Sequence, residues 1–194
     1  MFAAVAAEIA PQATTGHVLI SIMAGIPTAK IAAAVGKPAR IIRVMPNTPL
    51  MAGLGMAAVA DGPHAQKTDA DLTMKLFATG QSKAVRVPES LMDAVTAVSG
   101  SGPAYIYYLA EAMEKAASEL GLGDNARLMV AQTLLGATAM LVQSPDTAAE
   151  LRRKATSPGG TTEAAIKCLE AHNVISTVVE AIRAAANRSA ELGA

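Results

Sequence analysis

The chain has no tryptophan, a single cysteine, only 3% aromatic residues and no excess charge of either sign. One cysteine, Cys168, excludes an internal disulfide framework and any zinc site built on cysteine pairs, and it suits a reducing compartment. With no partner in the sequence, it reads as a small core hydrophobe. Sixteen basic residues against sixteen acidic ones leave no net field to steer the chain to nucleic acid or an anionic lipid surface. No apolar run approaches the roughly 20 residues that span a bilayer. The apolar start MFAAVAAEIAP lacks a basic leader region and is interrupted by Glu8, which argues against a secretory signal. His17, His64 and His172 share no ligand spacing, so no metal site is expected. These absences leave a cytoplasmic location as the expectation.

What is present is small aliphatic bulk. The 194 residues are 52% hydrophobic and 16% charged, which excludes a disordered chain and suffices for one ordinary domain or two small halves. The character of the chain changes near residue 88. Before it, HVLISIM (17–23) and RIIRVMP (40–46) are nearly continuous apolar runs bounded by Gly and Pro, as in parallel strands covered on both faces. Between them Pro27 opens and Gly36 closes a short helix, giving a βαβ unit. GMAAVADG and KAVRVP read as two further strands, with a helix over 68–79 whose Asp69, Asp71 and Lys75 lie on the wet side. Residues 2–9 read as a helix on the first strand. After residue 88 only helical periodicity remains: 103–121, a helix capped by Asp124 and running to 143, one with Pro145 in its first turn, then 162–172 and 173–192. These helices are apolar over more than one face, which predicts contact with a second copy of the chain.

Two G-x-G-x-x-A stretches, at 53–58 and 121–126, match the dinucleotide fingerprint. Neither follows a strand and opens a helix, so neither reads as a pyrophosphate cradle. TSPGGTT (156–162) is more informative. Hydroxyls and glycines lead straight into a helix whose first amides attract an anion, a small carboxylate rather than a nucleotide because no P-loop lysine follows. An ordinary helix cap, with Thr161 or Thr162 as the capping residue, explains the same residues. TAVSGSGPAY (96–105) has the same character and the same two readings. MPNTP (45–49) follows the end of a strand, the edge that borders the ligand crevice in open α/β sheets, although Asn and Pro are also common turn residues. Three such loops predict a small-anion site between the α/β half and the helical half.

Taken together and in order, IRVMPNTP, MDAVTAVSGSGPAY, QTLLGATAML and TSPGGTTEAAI resemble pyrroline-5-carboxylate reductase, over about residues 18–192. The resemblance implies an oxidoreductase of proline biosynthesis that reduces 1-pyrroline-5-carboxylate to L-proline with NADPH or NADH. It implies an α/β fold, a partial Rossmann domain with a parallel sheet over 1–88, followed by an all-α substrate-binding and dimerisation domain over 89–194. It further implies a homodimer, possible rings of dimers, and no nucleic-acid or membrane partner. Ser157, Gly160, Thr161 and Thr162 would hold the substrate carboxylate. Thr96 would lie by the imine as the catalytic hydroxyl. Ala24, Gly25, Met45, Pro46, Asn47 and Thr48 would flank the nicotinamide.

The family pattern opens with a strand, G-x-G-x-x-A and a helix that this sequence does not contain. The expectation is therefore a reductase part of whose nucleotide-binding domain is missing from this sequence, with the activity belonging to the complete protein and this chain alone open to being inactive. The alternative is a catalytically inactive remnant acting as a dimeric small-carboxylate-binding module. The loss exposes a strand edge, which predicts a less stable α/β half while the dimeric bundle stays folded, and it removes the pyrophosphate cradle, which predicts weak cofactor binding.

Overall fold

The computed structural model describes residues 2–36 and 38–193, which form two compact units: Met1–Pro103 with Ala181–Ala194, and Ala104–Glu180. The compositional change near residue 88 follows the last strand, whereas compact packing carries the first unit on to Pro103.

In the first unit the order is α1 (Phe2–Ile9), β1 (Val18–Ser21), α2 (Thr28–Val35), β2 (Arg40–Met45), β3 (Met56–Asp61), α3 (Lys67–Phe77), β4 (Lys83–Arg86) and α4 (Met92–Val95). The strands form one sheet in the order β1-β2-β3-β4. The β1–β2 and β3–β4 pairs are parallel, each joined through a helix, so the βαβ reading of the first pair holds and β3, α3 and β4 form a second such unit. The join between them is antiparallel, with Met45 opposite Ala58. Only a short 3-10 turn, Thr48–Ala52, links β2 to β3, and such a connection cannot carry the chain back for parallel pairing.

The nearly continuous apolar runs are explained by burial on both faces. Ile42, Val44, Ala57 and Val59 pack with Ala70, Met74 and Phe77, on the face that α3 covers. On the other face Ile41 packs with Ile31, Val35 and Phe2, while Ala58 and Ala60 pack with Met92 and Val95. Pro27 stands just before α2 rather than inside it, and Gly36 ends that helix as expected. Asp69 corrects the sequence reading: it is buried, not on the wet side. It sits in the first turn of α3, where one carboxylate oxygen accepts from the Gln66 N–H at 2.8 Å and the other from Arg40 at 2.8 Å.

The second unit takes up α5 (Gly102–Glu119) from Ala104, then α6 (Ala126–Gln143), α7 (Ala148–Lys154), α8 (Thr161–Ala171) and the first turns of α9 (Val174–Gly193). Asp124 does not cap α6; it lies in a 3-10 turn ahead of it, and Asn125 takes the cap position. Pro145 likewise precedes α7, whose cap is Thr147. The Thr147 hydroxyl accepts from the Glu150 N–H, while the Glu150 carboxylate accepts from the Thr147 N–H at 2.7 Å. Cys168 is exposed rather than in a core, and no residue of α8 is buried. Large apolar side chains stand open on these helices, among them Tyr108 (77% exposed), Leu128 (69%), Leu135 (59%) and Val142 (79%). Among the described residues no helix is long and apolar enough to cross a membrane.

Candidate active site

The carboxyl end of β2 and the segment after α4 are held against each other. Met45 is the last residue of β2 and is half-buried, as are Pro46 and Asn47, whereas Thr48 is exposed. Asn47 Oδ1 accepts from the Met56 N–H at 2.9 Å and its Nδ2 donates to the Ser99 carbonyl at 3.1 Å. The stretch read as a loop before a helix is instead a π-helical turn, Thr96–Gly100, closed by the Ser101 N–H on the Thr96 carbonyl at 2.7 Å. Such wide turns occur frequently at functional sites. Thr96 is buried (8% exposed), and its hydroxyl donates to the Met92 carbonyl at 2.8 Å. A Cβ at Gly100 would lie 2.4 Å from the Met45 Cε, so only glycine admits the Met45 methyl at this distance.

Ala24 is exposed. Gly25 is buried with φ of 75°, and a Cβ there would lie 2.7 Å from Leu192 Cβ and 2.9 Å from the Ser189 carbonyl. Its glycine is therefore required by α9, a packing reason that the sequence did not offer.

Ser157, Gly160, Thr161 and Thr162 all belong to the second unit. Gly160, not Thr161 or Thr162, holds the cap position of α8, and Ser157, Thr161 and Thr162 are exposed. The Glu163 carboxylate accepts from the Gly159 N–H and pairs with Lys167 at 2.8 Å. Lys167 first, and the Gly159 amide second, hold the Glu163 carboxyl below the usual carboxylate range. The amides at the start of α8, Thr161 and Thr162 among them, have no partner within the helix, which leaves donors and two hydroxyls for an incoming carboxylate.

A polar network went unread in the sequence. Arg43 is buried in β2, between Ser21 and Ala60 in register, with Glu89 at 3.5 Å and Asp93 at 3.9 Å. Glu89 in turn accepts from the Thr28 N–H (2.7 Å) and hydroxyl (2.6 Å), and Asp93 accepts from the Ser189 hydroxyl at 2.6 Å. The network ties β2, α2 and α9 to the chain leading into the Thr96 turn. Its only sequence signal is an arginine inside a buried apolar run.

For a dinucleotide, the residues present fit one end. Met45–Thr48 lie at the carboxyl edge of the sheet, where a nicotinamide ring binds in open α/β folds. The glycine stretches do not fit the pyrophosphate: Gly53 ends a 3-10 turn that leads into β3, and Gly121 and Gly123 join two helices.

Residues 89–192 match the family model described as pyrroline-5-carboxylate reductase dimerisation. Pyrroline-5-carboxylate reductase of Pseudomonas aeruginosa is 40% identical over 190 residues, 97% of this chain and 70% of that protein. The Bacillus subtilis pyrroline-5-carboxylate reductase 2 is 40% identical over 177 residues, 91% of this chain and 63% of that protein. The chain thus spans about two thirds of the length of these curated relatives. Among solved structures, Plasmodium falciparum pyrroline carboxylate reductase with NADP bound superposes with a TM-score of 0.93 at 31% identity, covering 99% of this chain and 77% of that one. The Coxiella burnetii enzyme gives 0.87 at 37% identity, covering 100% and 72%. With the sheet, the helical unit and the motifs all in common, this chain belongs to the pyrroline-5-carboxylate reductase family.

Proposed function

We propose that the chain works as a reductase of 1-pyrroline-5-carboxylate, yielding L-proline, the last step of proline biosynthesis, with NADPH or NADH as hydride source. The observation that carries this reading is the pairing, through Asn47, of the β2 edge with the turn that bears Thr96. Relatives of that name at 40% identity support it. The reading divides the chain into residues 1–88, the C-terminal portion of a Rossmann domain, and 89–194, a substrate-binding and dimerisation domain. The family match over 89–192 supports this division.

The bound nicotinamide supplies the hydride to the imine carbon, and Met45, Pro46, Asn47 and Thr48, with Ala24 and Gly25, are the residues proposed to flank it. Thr96 faces the ring nitrogen. Its proton is engaged by the Met92 carbonyl, so its oxygen is set to accept a hydrogen bond from the protonated imine rather than to give a proton away. A fixed acceptor there stabilises the cationic form that takes up hydride most readily. Ser157, Gly160, Thr161 and Thr162 hold the carboxylate on the first turn of α8, where amide dipoles favour an anion. The protein's part is orientation and charge placement.

The exposed apolar helices support a homodimer, and assembly of dimers into a ring is the further reading, measurable as native mass. A single cysteine and balanced charge support a cytoplasmic setting.

The test is pyrroline-dependent oxidation of NADPH, wild type beside Thr96→Val. Turnover by the wild type and a loss of about tenfold to hundredfold in the variant are expected. Unchanged turnover in Thr96→Val removes Thr96 from the chemistry. Binding of L-proline without any turnover favours the small-carboxylate-binding module instead.

A further inference from the structure

The Thr96–Gly100 turn has a missing donor built into it. In a continuous helix the Ser99 carbonyl would accept from the amide four residues on, and that residue is Pro103, which has no N–H. The donor comes from 52 residues earlier in the chain: Asn47 Nδ2 reaches the Ser99 carbonyl at 3.1 Å. The other end of the same carboxamide is fixed by the Met56 N–H at the first residue of β3, so the side chain cannot swing without losing two bonds. Beside it, the Met45 methyl fills the space that a side chain on residue 100 would take. A polar bond and an apolar contact thus set the turn against the end of β2.

From this geometry we infer that Asn47 is a positioning residue, one that fixes the Thr96 turn relative to the 45–48 segment rather than binding the cofactor through its side chain. The inference rests on the proposed roles of Thr96 and of 45–48, and it reassigns Asn47 within them. Loss of the tie lets the turn shift against the sheet edge. Displacements of about 1 Å in a reacting pair cost on the order of 100-fold in rate.

The test is Asn47→Asp, which keeps the acceptor for Met56 but removes the donor to Ser99. In the full chain, kcat is expected to fall about 10- to 100-fold while the KM for NADPH stays within about twofold. Amide exchange over 97–101 is expected to accelerate, a readout that requires no turnover. A raised KM for NADPH with unchanged kcat, or unchanged exchange over 97–101, overturns the inference. Asn47→Ala, which places no charge beside the Ser99 carbonyl, provides a second probe should Asn47→Asp fold poorly: the same acceleration of exchange over 97–101 is expected, and unchanged exchange overturns the inference. Thr96→Val run in parallel separates the two layers: if it leaves turnover unchanged while exchange in Asn47→Asp accelerates, the Thr96 role fails and the clamp stands.

Discussion

The two units solve burial differently. Every buried apolar cluster among the described residues lies in the α/β unit, built on Ile41, Ile42, Val44 and Val59 with Met92 beneath Ala58 and Ala60. Between Ala104 and Glu180 the buried apolar residues are Ala117, Ala126 and Val130, while Tyr108, Leu128, Leu135 and Val142 are open. Sheet strands covered by helices on both faces enclose a core within one chain. Helices that are apolar on several faces do not. Sequence reasoning put the weakness in the α/β half, on the strength of its uncovered strand edges. In the helical half the apolar side chains that a single chain leaves open call for a second copy, which ties the stability of that half to association.

The strongest way to break that contrast is to charge the open helical face. Leu135→Asp is expected to abolish the dimer and unfold the helical unit with it, since an obligate interface ties folding to association. Sedimentation combined with circular dichroism on dilution measures both. A monomeric variant with undiminished helix content would show that this unit folds on its own.

The next effect falls in the other unit. Arg43→Met removes the buried guanidinium that faces Glu89 and Asp93. It is expected to destabilise the α/β unit by about 2–4 kcal/mol, below the largest values for buried pairs because both carboxylates keep some solvent. Urea unfolding followed by exchange in β2 measures it, and the helical unit should be unaffected.

Acid sharpens the comparison most gently. Three carboxyls of the helical unit lie below their ordinary range: Asp146 chiefly through Lys154, Glu150 chiefly through the Thr147 amide, and Glu163 chiefly through Lys167. A depressed carboxyl contributes stability above its unfolded pKa, and that contribution is lost as pH falls through its folded value. Helix content in α7 and α8 is therefore expected to decline below about pH 4, by a small amount given the exposure of these groups. A rise in their protection on acidification would contradict the assignment.

How much of the site was legible follows from the reach of each signal. MPNTP, the Thr96 segment and TSPGGTT were all found in the sequence, because small, hydroxyl-bearing and glycine-rich runs before helices are local patterns. Their conformations were less legible. The Thr96 segment was read as a loop and is a π turn, whose Ser99 carbonyl is met by a donor from Asn47, 52 residues earlier in the chain. Gly25 was read as a cofactor contact, and its missing side chain proves to be required by Leu192.

The sequence by itself determined the order of the strands and longer helices, the first βαβ unit, the approximate ends of those helices and the family. All of these rest on periodicity, caps and motifs within a few residues of one another. Tertiary structure alone decided the antiparallel join at β2 and β3, the burial of Asp69 under Arg40, the exposure of Cys168 and the network around Arg43. Each of these depends on which distant segment comes to lie alongside. Thr28 meets Glu89 across 61 positions and Asp93 meets Ser189 across 96. No local pattern encodes such a meeting, because the energy that selects it comes from burying and pairing groups only after the sheet and its helices have packed.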